Sequence, residues 1–218
     1  MIKAVIFDMD GVLTDTERWL NRYWRQAAGE AGYQMSREQA LTLRSMAGEY
    51  AGPYLKELFG ATFPYEQVRA RRRELMSRHI EENGVERKTG AKDLLDYLRA
   101  NDIRTAVATA TDPVRTKDYL TRAGIYEKFD HIICAAMVAH GKPAPDIYRY
   151  ACAQIKERPE DCIAVEDSPN GVCAAAGAGL RTIMVPDLTR PDDKTGKMLV
   201  AEVDTLYDII LMIEDGLL

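Results

Sequence analysis

Val5-Ile6-Phe7-Asp8-Met9-Asp10-Gly11-Val12-Leu13-Thr14 is an apolar, β-prone run that stops on a carboxylate, skips one residue, presents a second carboxylate and turns on a glycine. A single Asp at the end of a buried strand needs only turn chemistry to explain it. Two acids this close cost Coulomb energy unless a cation or a proton sits between them. Oxygen-only donors point to a hard cation such as Mg²⁺ rather than zinc. Met9, between the acids, points the opposite way along an extended chain. Gly11 supplies a backbone turn that few other residues tolerate.

Beyond this stretch the pattern changes. From Asp15 to Lys88 the chain is charged, dotted with aromatics and helix-like, with no convincing strand. Over 68–80, for example, Val68, Leu75, Met76 and Ile80 fall near one helical face. From Gly90 onward helices and strands alternate. Helices are expected at 91–100, 113–123, 146–155, 169–178 and 205–214, and strands at 103–109, 131–135, 162–167 and 181–185. Asp112-Pro113 and Ser168-Pro169 each place a capping side chain ahead of a proline at the first helical position. The strands are near-continuous apolar runs, as in a parallel sheet covered on both faces. The expected fold is therefore α/β, a Rossmann-like parallel-sheet core formed by 1–14 and 89–218, with a small helical cap inserted at 15–88.

The bulk numbers fit that picture. A chain of 218 residues with 46% hydrophobic and 29% charged content has enough apolar material for a real core. The net charge of −5 argues against a general nucleic-acid or membrane-surface role. No apolar run approaches the ~20 residues that span a bilayer. The start reads directly into a strand, so the cytoplasm is the expected location. A monomer is the default expectation. Cys134, Cys152, Cys162 and Cys173 form no metal-ligand spacing and read as free thiols. His79, His131 and His140 form no local motif.

In an open parallel sheet, ligands bind outside the carboxyl ends of the strands. Three apolar runs end there in oxygen-bearing residues: Asp8, Thr109 and Glu166-Asp167. Lys142 follows the remaining strand, read as an interior one, in Gly141-Lys142-Pro143-Ala144-Pro145, where the prolines limit where the lysine can point. Each residue alone has a bland explanation as a cap, a turn residue or a solvated lysine. Four strand ends that each carry a group complementary to a metal-bound phosphate are hard to obtain from turn chemistry.

Together, Asp8-x-Asp10-Gly11-Val12, Thr109, Lys142 and Glu166-Asp167-Ser168-Pro169-Asn170-Gly171 resemble, in order and spacing, the four motifs of the haloacid dehalogenase superfamily. Within it the chain is most similar to sugar-phosphate phosphatases and β-phosphoglucomutase. The resemblance implies that Asp8 is the nucleophile and becomes a transient aspartyl phosphate. It implies that Asp10 protonates the leaving alcohol and then activates water. Thr109 and the backbone around Met9, Gly11 and Ala110 would hold the phosphoryl oxygens, and Lys142 would offset negative charge. Asp8, the Asp10 backbone carbonyl, Asp167 and, as a supporting ligand, Glu166 would form the Mg²⁺ site. The implied substrate is a small phosphorylated metabolite.

The superfamily's dehalogenases need no acid for their leaving group, so Asp10 favours phosphate chemistry. A mutase is the alternative, but two of its features are missing. Its gating histidine is replaced by Leu20, and its Gly-x-Ser-Arg loop by Gly48-Glu49-Tyr50-Ala51. Hydrolysis is the reading favoured. A phospho-aspartate receiver module is a distant non-enzyme alternative, opposed by the seventy-residue helical insert. Trp19, Tyr23 and Trp24 read as amphipathic packing at least as well as pocket lining. Arg69, Arg71, Arg72, Arg73 and Arg78 read first as a solvated charged face, with a positive rim for phosphorylated substrates as the functional version.

Overall fold

A computed structural model describes residues 2–218 and shows a single parallel sheet in the order β3-β2-β1-β4-β5-β6. The strands are β1 (Ala4–Phe7), β2 (Arg104–Thr109), β3 (His131–Cys134), β4 (Cys162–Glu166), β5 (Arg181–Met184) and β6 (Leu199–Glu202). Four helices follow β1: α1 (Glu17–Glu30), α2 (Arg37–Leu41), α3 (Gly48–Phe59) and α4 (Tyr65–Asn83). The others are α5 (Ala91–Ala100), α6 (Pro113–Arg122), α7 (Asp146–Ile155), α8 (Pro169–Gly177), α9 (Asp193–Gly196) and α10 (Leu206–Glu214). This is the α/β architecture that the alternating runs imply.

The sheet sorts its side chains by size. Val5, Phe7, Val107, Ile163 and Val165 point to one face, with Leu94, Leu98, Tyr119 and Ile209 of α5, α6 and α10. Ala4, Ile6, Ala106, Ala108 and Ala164 point to the other, where Ile147, Tyr148 and Ala151 of α7 and Ala174 and Ala175 of α8 pack. Period-two alternation sets which residue goes to which face. Small side chains on the second face let α7 and α8 approach closely, which brings Tyr148 under the end of β4.

Both predicted Pro-led helix starts are capped. The Asp112 side chain accepts from Arg115 N, and that of Ser168 from Gly171 N. Two expectations fail. Lys142 follows an edge strand, not an interior one, because β3 pairs only with β2. The lysine reaches the centre because the 135–145 loop folds back across the strand ends, held by Ala47 N donating to Lys142 O at 2.9 Å. The sixth strand is additional: β6 is a four-residue edge strand, half-exposed along its length, so it lacks an apolar run.

Helices α1–α4 form their own core around Trp24, Leu55, Phe63, Tyr65 and Val68. Val68, Leu75, Met76 and Ile80 of α4 are all buried, as the helical spacing predicts. Chain enters and leaves this layer side by side. Asp15 N donates to Glu86 O at 2.8 Å, Lys88 N donates to Leu13 O at 3.0 Å, and Thr14 bridges Arg87.

Candidate active site

The adjacency of β2, β1 and β4 decides where the polar residues meet. Phe7 is in register with Val107 and Val165, so Asp8 emerges between the ends of β2 and β4. Beyond it the chain reverses tightly. Gly11 takes φ +88° and donates to Thr14 O at 2.8 Å, while Met9 O accepts from Leu13 N and Thr14 N. A side chain at Gly11 would also collide with the site, since a Cβ there would lie 2.6 Å from Asp167 Oδ2. Met9 itself is fully buried in the core.

Asp8 and Lys142 are the centre of the cluster. Lys142 Nζ donates to Asp8 Oδ1 at 2.7 Å and to Glu166 Oε1 at 2.6 Å, and the lysine has no exposed surface. Burial alone would strip such an ammonium of its proton. The Asp8 and Glu166 carboxylates outweigh that and hold it charged, above the usual lysine range. Glu166 is pushed up to about 7 by burial, which Lys142 only partly offsets. Tyr148 OH donates to the same Glu166 oxygen at 2.7 Å. The other Asp8 oxygen, Oδ2, accepts from Ser45 Oγ at 3.2 Å.

Asp10 is held apart from this cluster. Its Oδ1 accepts from Thr16 Oγ1 at 2.5 Å and its Oδ2 from Thr111 Oγ1 at 2.9 Å. Burial, and then the neighbouring Asp8 charge, raise its pKa, while the two threonine hydroxyls pull the other way. A carboxyl oriented by hydroxyls and biased toward its protonated form suits proton donation. Thr109 caps the loop after β2, its Oγ1 accepting from Thr111 N at 3.1 Å, and Ala110 lines the cleft beside it.

Asp8, Glu166 and Asp167 are buried, and each offers one oxygen within 4.8 Å of the others. Asp167 Oδ1 is shielded from solvent and has no hydrogen-bond partner. Burial, opposed by Arg44 and reinforced by Asp8, raises Asp167 well above the carboxylate range. An orphaned, desolvated oxygen among three carboxylates fits a hard divalent cation, which would supply the missing charge.

Several residues here escape a reading of the sequence. Arg44 reaches across to Asp167 Oδ2 at 3.3 Å and also bonds Thr189 Oγ1. Ser45 touches Asp8, and Glu17 is buried with its pKa pushed well up by desolvation and by Asp167 and Asp10. All three come from the helical layer, whose docking over the strand ends has no local sequence signal. The cleft between the layers is lined also by Leu20, Trp24, Gly48, Tyr65, Arg69, Arg72, Arg73 and Arg115. The arginine run therefore divides. Arg71 and Arg78 pair on the surface with Glu30 and Glu74, whereas Arg69, Arg72 and Arg73 face the cleft. The aromatic trio divides too: Trp24 lines the cleft, while Trp19 and Tyr23 stack on each other and pack against His79 with tilted rings.

Comparison with known proteins agrees with this geometry. The CbbY protein of Cereibacter sphaeroides is 34% identical over 207 residues, 90% of each chain. The phosphorylated carbohydrates phosphatase of Thermotoga maritima is 30% identical over 182 residues, 84% of each. The crystal structure of CbbY from Rhodobacter sphaeroides in complex with phosphate superposes with a TM-score of 0.81 at 30% identity, covering 96% of both chains. The model of the haloacid dehalogenase-like hydrolases matches residues 2–179. By that match and those relatives, this chain belongs to the haloacid dehalogenase-like hydrolases and is an enzyme of the phosphatase kind.

Proposed function

We propose that the protein is a Mg²⁺-dependent phosphomonoester hydrolase that acts on a small phosphorylated metabolite through an aspartyl-phosphate intermediate. The observation that carries this reading is the Asp8–Lys142 contact at 2.7 Å beside an unpartnered Asp167 oxygen. A carboxylate, a lysine and an unpartnered acid oxygen at one point support a reading as nucleophile, fixed cation and seat of a second cation. A carboxylate that attacks a phosphate dianion meets repulsion, so both partners must be neutralised first.

In this reading an Asp8 carboxylate oxygen attacks phosphorus in line with the ester oxygen. Lys142 balances the charge on Asp8 and on the incoming phosphoryl oxygens. Thr109 and the backbone N–H groups at Met9 and Ala110 bind those oxygens, whereas the Gly11 N–H, expected to join them, is spent on Thr14 O and shapes the turn instead. Asp10, oriented by Thr16 and Thr111, gives its proton to the departing alkoxide. It then takes a proton from the water that cleaves the acyl phosphate, which regenerates Asp8 and releases inorganic phosphate. Mg²⁺, held by Asp8, Asp167 and the Asp10 backbone carbonyl with support from Glu166, would supply positive charge at the phosphoryl group. Residues 15–88 act as a cap that closes over the substrate and excludes water.

Leu20 on the cleft wall supports hydrolysis over mutase chemistry, because an aliphatic side chain cannot gate a proton there. The test is phosphate release from p-nitrophenyl phosphate and from a panel of phosphorylated metabolites. Multiple turnovers per chain are expected, abolished by EDTA and restored by Mg²⁺. A single phosphorylation without turnover would overturn the reading.

A further inference from the structure

With Arg44 committed to Asp167, four guanidinium groups remain on the cleft wall: Arg69, Arg72 and Arg73 of α4, and Arg115 of α6. Arg115 is matched by Asp112, 2.5 Å away. Arg69 reaches Glu66 only at 3.8 Å. Among the described residues no carboxylate pairs with Arg72 or Arg73, and the Nε atom of each is closed off from solvent without a hydrogen-bond partner. Aromatic faces hold the cluster instead. The Arg72 guanidinium lies 5.0 Å from the Trp24 ring centre and that of Arg69 6.0 Å from Tyr65, and the two rings stack 6.3 Å apart.

The same helix treats its outward arginines differently. Arg71 lies 2.5 Å from Glu30 and 2.9 Å from Glu74, and Arg78 lies 3.5 Å from Glu74. Charge is neutralised on the outer face of α4 and left standing on the inner one. Ring faces orient a guanidinium and attract it, but leave its net charge in place. The inner group pays for this. Burial, with repulsion from Arg115 and Arg73, draws Arg72 down to about 10, and burial lowers Arg73 too.

The cleft is thus polarised. Its floor carries Asp8 and Asp10 at the strand ends, with Lys142 behind them, and its helical wall carries unmatched cations. A phosphate ester of a neutral alcohol engages the floor and leaves the wall desolvated and unpaired. We infer that the natural substrate carries a second anionic group, a phosphate or a carboxylate, remote from the phosphoryl group being transferred, and that Arg72 and Arg73, assisted by Arg69, bind it. This inference rests on the phosphatase reading above. Guanidinium forks match both anions in the bidentate geometry that makes such contacts strong. Arg72 and Arg73 line the same cleft as Asp8 and Asp10, so floor and wall face one ligand space.

Matched substrate pairs test it: glucose 6-phosphate against glucose 1,6-bisphosphate, and glycerol 3-phosphate against 3-phosphoglycerate. The measure is kcat/KM or, for a compound not turned over, its inhibition constant against p-nitrophenyl phosphate hydrolysis. The doubly anionic member should be favoured by about tenfold to a hundredfold in at least one pair. Which pair responds tells phosphate from carboxylate. Arg72→Gln and Arg73→Gln should each move that ratio toward one, while Arg78→Gln on the outer face should keep it. Ratios at or below one in both pairs, with p-nitrophenyl phosphate still hydrolysed, overturn the inference and leave the phosphatase reading intact. Failure to hydrolyse any ester strikes the phosphatase reading instead. The native ratios decide the matter even if a variant does not fold.

Discussion

Arg44 Nη1 stands 3.3 Å from Asp167 Oδ2, both side chains buried, although 123 residues separate them in the chain. A residue of the helical layer thus balances a carboxylate that would also bind a cation. Substituting Arg44→Gln removes that balance while leaving the acid buried. The expected loss is about 3–5 kcal/mol, read from urea denaturation without divalent ions. Millimolar Mg²⁺ should restore more stability to the variant than it adds to the native protein, since ligand binding stabilises by mass action. Equal gains in both would show that guanidinium and cation do not share Asp167.

Replacing Asp8 by Asn keeps the shape of the side chain and removes the charge of the proposed nucleophile. Turnover of p-nitrophenyl phosphate should fall by about 10⁴-fold or more, as for other covalent nucleophiles. Far-ultraviolet circular dichroism should be unchanged, because the amide oxygen can still accept from Lys142 while the amide NH2 donates to Ser45 Oγ.

Asp10→Ala tests the proposed proton transfer apart from phosphoryl binding. Alkyl phosphates, whose alkoxide needs a proton, should lose about 10²–10⁴ in rate. Nitrophenyl esters, with a far better leaving group, should lose much less. Equal losses on the two classes would argue that Asp10 acts only on the fold of the 10–16 turn, where it accepts from Thr16.

Gly171 has no room for a methyl group. A Cβ there would lie 1.9 Å from Glu166 Oε2. Gly171→Ala should therefore push Glu166 off Lys142 and Tyr148, with a cost of about 1–3 kcal/mol from overpacking. Phosphate release should fall along with the denaturation midpoint. Activity preserved at full stability would show that Glu166 does not position Lys142.

The core was legible because its signals are local. Apolar runs such as Ala4–Phe7 and Cys162–Glu166 are buried on both sides, and Asp112-Pro113 and Ser168-Pro169 mark helix starts to the residue. The edge strand Leu199–Glu202 was not legible, because one exposed side removes the apolar run. Asp8, Asp10, Thr109, Lys142, Glu166 and Asp167 could be singled out because strand ends of a parallel sheet converge by topology. Arg44, Ser45 and Glu17 could not, since their roles depend on how a separate layer docks. The division among the arginines did leave a trace. Arg69, Arg72 and Arg73 are spaced three and four apart on one stripe, while Arg71 and Arg78 lie seven apart on another.

The paired crossings at 13–15 and 86–88 determine how the upper layer can travel. Two free tethers would let it slide, twist or tip. Here the tethers are laced together through Asp15 N–Glu86 O, Lys88 N–Leu13 O and the Thr14–Arg87 bridge, so they behave as one ribbon. Shearing one tether past the other would break those bonds, whereas flexing the ribbon preserves them. For the cap closure proposed above, this lacing favours a book-cover swing about a single spine, which would bring Arg44 and Ser45 to the acids in the final degrees.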